Sequence, residues 1–436
     1  MPAADRIRIM DDKLVYRELA FQKNLDDFKA KYLSLWQSAA TEQPVLGKRF
    51  KPCEQELNER ETDQLVQYVE EQLNCYPESP SDQEVWRAGL RERIKRFGRD
   101  CFRFPDHYLN ILLSDAYLRV TSTFAREAKS FNGKLELDAL SQAMRNVWVM
   151  NCLQMFLGKG ISLSPSIFAY SMLYPYTDNV LDDAEISKDS KREICRRLGL
   201  RLAGVALEPT GRHERDIYRL VAMIEDQYER AEFPEVFWVL LAIHRGQVRS
   251  LTQQGSNQPP EEDRILNVSV EKGGASVLAD GYLVAGKLSR VEAEFFFGFG
   301  VVLQLFDDVQ DVAQDLEAKR WTLFSRNARI SPLDCIANRL HDFLLKVLRS
   351  APRFPISFQP VLKDLIQRNC GFLLLQAVSQ NQDLFSREYL RKLEPYSPVR
   401  FGYLKSLHAL LAKKHEAFKQ AVLDRRNLPS FYHILS

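Results

Sequence analysis

Two stretches of the chain concentrate carboxylates where apolar helices end. "LQLFDDVQDVAQDL" closes the apolar run "FFFGFGVVLQLF" and carries Asp307, Asp308, Asp311 and Asp315. "YPYTDNVLDDAEIS" follows "SIFAYSMLY" and carries Asp178, Asp182, Asp183 and Glu185. Residues four apart share a helix face. Asp307, Asp311 and Asp315 therefore make one stripe, which Lys319 continues, with Asp308 one step around. Asp178 and Asp182 share a face likewise, with Asp183 beside them. Like charges at that spacing cost ~0.2–0.5 kcal/mol per pair on an exposed helix. Desolvation raises the cost unless a cation compensates.

Helical bundles build metal sites from carboxylates on facing helices. These ligands are all oxygens, with no His or Cys nearby, which favours a hard cation. Mg²⁺ takes one or two carboxylates per ion, keeps its waters and completes its shell with substrate phosphate. Two acid clusters therefore suggest a diphosphate between them. An EF-hand is excluded, because neither cluster has that loop's spacing or its glycine. A diphosphate also needs cations. Arg245 and Arg249 lie four apart in "IHRGQVRSLTQQ", and Lys319 and Arg320 follow the second cluster in "DLEAKRWTLFS". Lys272 in "VEKGGASVLADGYLVAG" is expected at a helix start, before small residues that allow close backbone approach.

The elements that must carry these groups read as helices. "DDKLVYRELAFQKNLDDFKAKYLSLWQSA", "YRLVAMIEDQYERA" and "RFGYLKSLHALLAKKHEAFKQAVL" place apolar residues at three- and four-residue spacing. Breakers separate them: "YPESPSDQ", "LEPTGRH", "QQGSNQPPEED" and "APRFPISFQP". No alternating β-branched runs and no internal repeat stand out, so an all-α protein is expected. Charged, amphipathic helices precede residue 100 and apolar, motif-bearing ones follow. Residues 1–100 are thus expected to form an N-terminal helical extension, and 101–436 one bundle.

With 436 residues and a net charge of +2, the chain lacks the basic excess of a nucleic-acid binder. Its seven scattered cysteines, without a CxxC, read as reduced thiols of a cytoplasmic protein. "MPAADRIRIMDDK" has no apolar h-region, so no secretory signal is expected. The run Phe295 to Phe306 is too short to span a bilayer.

"LQLFDDVQDVAQDLEAKRWTLFS" resembles the second aspartate-rich region of trans-isoprenyl diphosphate synthases, and "EKGGASVLADGYLVAG" their lysine-bearing helix just upstream. "DNVLDD" is similar to a first aspartate-rich motif, in the DxxxDD form of squalene and phytoene synthases. Together these cover roughly residues 150–325. The resemblance implies the class I isoprenoid synthase fold, an all-α bundle with a central active-site cavity. It implies that Asp178, Asp182 and Asp183 bind Mg²⁺ from one wall and Asp307, Asp308 and Asp311 from the other. Three Mg²⁺ ions would be bound together with the diphosphate. Lys272 would contact the diphosphate as a catalytic residue, with Arg245, Arg249, Lys319 and Arg320 as further diphosphate ligands. Phe168, Tyr170, Tyr174, Tyr282, Phe299 and Phe306 are the aromatic candidates near the cavity. Relatives of that fold are often dimers, so a homodimer is a further expectation.

The chain departs from chain-elongating synthases in two places. Their RRG follows the first motif closely, whereas Arg196–Arg197 comes well after Asp183. Their early GKxxRP element is echoed only by "LGKRFKP", far upstream of Asp178. The second motif is not the NSE/DTE type of plain terpene synthases. A class I terpene synthase that ionises one prenyl diphosphate and cyclises or rearranges the cation is the leading expectation. A prenyltransferase, chain-elongating or head-to-head, is the alternative. A catalytically silent helical subunit is the third reading, against which the intact acids of both clusters weigh.

Overall fold

Apolar residues recurring at helical spacing, punctuated by proline and by capping hydroxyls, produce helices throughout. The computed structural model describes residues 3–77, 79–182, 186–251 and 259–424. The side chains of 3–13, 73–74, 174, 178–179, 182, 188 and 415–424 lie outside that description. The first six helices are α1 (Ala3–Gln37), α2 (Pro52–Asn74), α3 (Pro80–Asp100), α4 (Asp106–Leu112), α5 (Asp115–Phe131) and α6 (Leu137–Phe156). Next come α7 (Pro165–Asp182), α8 (Lys188–Leu202), α9 (Arg212–Gln227), α10 (Pro234–Ser250), α11 (Glu262–Ala285) and α12 (Arg290–Gln310). The last six are α13 (Val312–Glu317), α14 (Leu323–Asn327), α15 (Asp334–Arg349), α16 (Gln359–Gln380), α17 (Arg387–Leu393) and α18 (Phe401–Asp424).

The described residues contain no β-sheet, and no described helix is long and apolar enough to cross a membrane. The described parts of the expected breakers lie at helix junctions and run into the first turn of the next helix. Ser79, Ser114, Ser187, Ser289, Thr322 and Ser386 each accept a backbone N–H in the first turn of the helix they start. Such caps contribute roughly 1 kcal/mol each.

The helices group into two compact units that do not follow chain order. One comprises Met1–Pro44, Ser164–Ser331 and Cys335–Pro355; the other comprises Val45–Leu163, Pro332–Asp334 and Ile356–Ser436. The sequence suggested a division near residue 100. Contacts instead group α1 with the motif-bearing helices, for a packing reason. Phe28, Tyr32 and Trp36 are each at most 2% exposed. Tyr32 lies along Phe297 of α12, with ring centroids 6.1 Å apart, and its hydroxyl donates to the Glu294 carbonyl at 2.9 Å. Burial pushes that phenol well above its ordinary range.

In the second unit, α2 is tied to the turn before α18. Gln55 donates to the Glu394 and Ser397 carbonyls, and Asn58 donates to those of Cys101 and Pro398. Phe102 and Phe104 pack edge-on against Phe372 of α16. None of the expected site residues belongs to this unit.

Candidate functional site

The candidate site is built around α11, which runs antiparallel to both α10 and α12. Missing side chains make that sandwich possible. A Cβ on Gly300 of α12 would lie 2.1 Å from the Gly273 carbonyl oxygen of α11. On the other side, a Cβ on Gly246 of α10 would lie 3.0 Å from Lys272 Cα. Lys272 is therefore not at a helix start: α11 begins at Glu262, just past Pro259–Pro260, and carries Lys272 ten residues in. Small residues around it allow the close approach, as the sequence suggested.

Antiparallel packing brings the acid-bearing end of α12 alongside the N-terminal half of α11. Asp308 is 4% exposed. Its carboxylate accepts the Gln304 amide at 2.9 Å and the Ser269 hydroxyl at 3.4 Å. Burial pushes the carboxyl up to about 8, with Asp307 and Asp315 adding to the rise, while Gln304 and Lys272 oppose it. Burial likewise pushes Asp315 up to about 6 against the pull of the Thr322 hydroxyl and Arg320. Asp307 is exposed and Asp311 half-buried. Burial is the largest cause of the Asp308 shift, and a carboxyl so perturbed is a candidate functional group.

The acidic stripe bends. Asp311 (φ −92°, ψ 8°) ends α12. Its N–H still reaches the Asp307 carbonyl at 3.0 Å, and Asp315 N–H reaches the Asp311 carbonyl at 2.9 Å. The one-face relation thus survives through α13. It stops before Lys319, correcting the expected continuation. α13 ends at Glu317, and Lys319 takes the left-handed conformation (φ 53°). Arg320 N–H then folds back to the Asp315 carbonyl at 2.9 Å, a helix-ending hydrogen bond that such a residue permits.

The first cluster sits on the last turns of α7. Helix persists to Asp182, so Asp178 and Asp182 share a face of α7. Their side chains, and Asp183 altogether, lie outside the described residues. The level of α7 is nevertheless defined. Ser166, at its start, donates through its hydroxyl to the Leu283 carbonyl near the end of α11, at 2.9 Å. Farther along, Thr177 lines a cleft with Gln247 and His244 of α10, and Gly246 between those two packs on Lys272. The acidic ends of α7 and α12 therefore come to the same stretch of α11.

Two of the other expected cations, Arg249 and Arg245, are engaged by neighbouring helices. Arg249 donates to both Glu271 oxygens, at 2.8 and 2.6 Å, and Lys29 of α1 reaches the same carboxylate at 3.4 Å. Arg245 faces α1, where its guanidinium donates to Gln22 at 3.4 Å. Among the described residues, no group of three His, Cys, Asp or Glu is arranged to hold a metal ion. The cleft lined by Tyr170, Thr177, His244 and Gln247 has a volume of ≈ 30 Å³. At roughly 10–15 Å³ per water it holds about two, and no prenyl chain. Phe168, Tyr282, Phe299 and Phe306 are buried core residues, and the Tyr174 side chain lies outside the described set.

Sequence reasoning missed Gln304 and Ser269, the two neutral partners of Asp308. Gln304 left a signal: a lone amide in an apolar run, four residues before a buried acid. Ser269 left none, since its relation to Asp308 exists only across helices. No protein-family model matches the chain, and no curated protein matches it in sequence.

Lys272 offers a direct probe of this packing. In Gly246→Ala, a helix-propensity gain of about 1 kcal/mol offsets much of the contact strain. Stability is expected to change by under about 1 kcal/mol. The backbone under Lys272 must shift by tenths of an ångström to admit the methyl. Thermal melting of the variant beside the wild type reads the net effect.

Proposed function

We propose that the chain is a Mg²⁺-dependent enzyme that ionises a prenyl diphosphate and cyclises or rearranges the allylic cation, in the manner of a class I terpene synthase. One observation carries this reading: Asp308 is buried where the acid-bearing end of α12 packs on α11, with Lys272 among the charges that act on it. An acid cluster kept for solubility would be solvated. This one includes a carboxyl whose burial raises it to about 8, a cost that makes sense where a cation is to be bound.

The donor set fits a hard divalent ion, because the candidate ligands are carboxylate oxygens only. Asp307, Asp308 and Asp311 would hold it from α12, and Asp178, Asp182 and Asp183 from α7. Bound Mg²⁺ supplies neutralisation of charge developing on the leaving pyrophosphate. Gln304 and Ser269 hold the Asp308 carboxylate in one orientation, and Lys272 presents a further positive charge to the same region. Arg320, held beside Asp315, is the better placed of the remaining cations. Arg249 is engaged by Glu271, Arg245 faces α1, and Lys319 lies off the stripe.

The test is incubation of the purified protein and Mg²⁺ with C10, C15, C20 and C25 prenyl diphosphates, each with and without isopentenyl diphosphate. Pyrophosphate release and mass spectrometry of the organic extract are the readouts. The expected result is a hydrocarbon or alcohol from a single diphosphate. A longer diphosphate made only with isopentenyl diphosphate would replace cyclisation by chain elongation. No pyrophosphate from any substrate would overturn the proposal.

A further inference from the structure

The acid-bearing end of α7 lacks the local support that a helix end ordinarily has. Pro175 lies inside α7. It has no N–H to donate back along the helix, so the turns beyond it are weakly coupled to those before. Only residues 176–182, about two turns, follow it. Asp178 and Asp182 then place carboxylates at the C-terminal end of the helix dipole, where negative charge is disfavoured. The last carbonyls of α7 also need donors from outside the helix. A frayed end would scatter the residues that are to hold a metal ion.

Two neighbouring helices supply what α7 lacks. His213 of α9 stacks on Tyr176, with ring centroids 5.4 Å apart and planes at 15°. Lys191 of α8 reaches farther along and donates from Nζ to the Leu181 carbonyl at 2.6 Å. Leu181 is buried and directly precedes Asp182 and Asp183. An ammonium on a terminal helix carbonyl makes a charge-assisted hydrogen bond and offsets the dipole there. In its own helix Lys191 is badly placed. Ser187 caps the start of α8, accepting the Ser190 N–H at 3.1 Å. Lys191 is thus the fourth residue of α8, near the end where that dipole disfavours a cation. Its favourable position is relative to α7.

We propose that Lys191 is a positioning residue for the first acid cluster. It fixes the last turn of α7, and through that backbone the carboxylates of Asp178, Asp182 and Asp183, without contacting substrate. The proposal rests on the metal-dependent function proposed above, and it gives a role in metal affinity to a residue outside both acidic motifs. Positioning acts on how tightly the ion is held and not on the reacting atoms. Loss of Lys191 is therefore overcome by more Mg²⁺. A cation that touched the diphosphate would behave differently, since its loss lowers turnover at every Mg²⁺ concentration.

Amide hydrogen exchange and Mg²⁺ titration of the intact chain test the assignment. Lys191→Met keeps the apolar stem, and Lys191→Arg keeps the charge and the donor. In Lys191→Met the amides of residues 179–182 should exchange about tenfold faster than in the wild type, with those of α11 unchanged. With pyrophosphate present, the Mg²⁺ concentration for half-maximal thermal stabilisation should rise about tenfold, and that for half-maximal activity with it. Turnover at saturating Mg²⁺ should stay within about threefold of the wild type. Lys191→Arg should restore both exchange and Mg²⁺ dependence. Unchanged exchange at residues 179–182 would overturn the proposal, as would a loss of turnover that excess Mg²⁺ does not recover. So would failure of Lys191→Arg to restore either property, or global unfolding of Lys191→Met, which would make Lys191 a general stability residue. A wild type that Mg²⁺ and pyrophosphate leave unmoved would instead overturn the function proposed above. Exchange at residues 179–182 would then still decide whether Lys191 holds the end of α7.

Discussion

Replacing Asp308 by asparagine should make the protein more stable and inactive. The substitution keeps the shape and an acceptor for Gln304 while removing an ionisable group from a buried position. Burial holds the Asp308 carboxyl at about 8 in the folded chain against an ordinary 3.8. Between those values the native state binds a proton that the unfolded state has released. Stability conferred by the site therefore falls as pH rises from about 4 to 8. Asparagine has no such slope. The two proteins should be equally stable near pH 4, and the variant should lead by about 2–4 kcal/mol at pH 8. Asp315, raised to about 6, adds a smaller slope of the same sign to both proteins. His341, pushed down to about 4 by burial, acts oppositely in both: below its ordinary 6.5 the unfolded chain takes up the proton first, so stability falls as pH drops toward 4.

Activity should move the other way, with turnover by Asp308→Asn down on the order of a thousandfold if the carboxylate holds Mg²⁺. Addition of Mg²⁺ and pyrophosphate should stabilise the wild type, increasingly so toward pH 8, and leave the variant unmoved. Parallel pH-stability curves for the two proteins would mean that Asp308 is not the buried acid described above. Retained turnover would remove it from the metal site.

The second large effect is mechanical. Gly300→Ala should cost at least about 3 kcal/mol, because the new methyl would meet the Gly273 carbonyl at 2.1 Å. The atoms in the way are helix backbone, which cannot rotate aside. Relief requires α11 and α12 to separate along their whole contact. The gain of about 1 kcal/mol from replacing glycine in a helix cannot offset that. Gly371 of α16 provides the control, since a Cβ there meets nothing within 4 Å. Gly371→Ala should therefore be neutral or stabilising, by up to about 1 kcal/mol. Chemical denaturation of both variants decides the matter. Equal stability of the two would mean that α11 and α12 do not approach as described.

Much of the architecture could be read from residue spacing alone. Helix content, the positions of the breaks and the one-face relations of Asp307, Asp311 and Asp315 are local properties. They depend on a periodicity of 3.6 residues and on prolines and capping hydroxyls within a few positions of each helix end. The acids themselves were also legible, because carboxylates at the end of an apolar run are conspicuous wherever they occur. Local rules failed at two junctions: Lys272 was expected at a helix start, and Lys319 on the stripe. The start of α11 was set by Glu261 after a Pro-Pro pair, and the stripe ended in a left-handed residue.

Only the tertiary structure decided which acid is buried, which neighbours it has, and which cations stand near it. Asp307 and Asp308 are adjacent in sequence and chemically identical. One faces solvent and the other the α11 interface, because helix rotation is set by how Gly300 nests on Gly273. Arg249 and Arg245 share the composition of diphosphate ligands, yet Glu271 and Gln22 engage them. Nor did spacing reveal that α1 belongs with the helices some 130 residues farther along the chain. Its fit rests on Tyr32 and Trp36 filling space against α12 and α15, and such complementarity is a property of two surfaces that no single stretch of sequence contains.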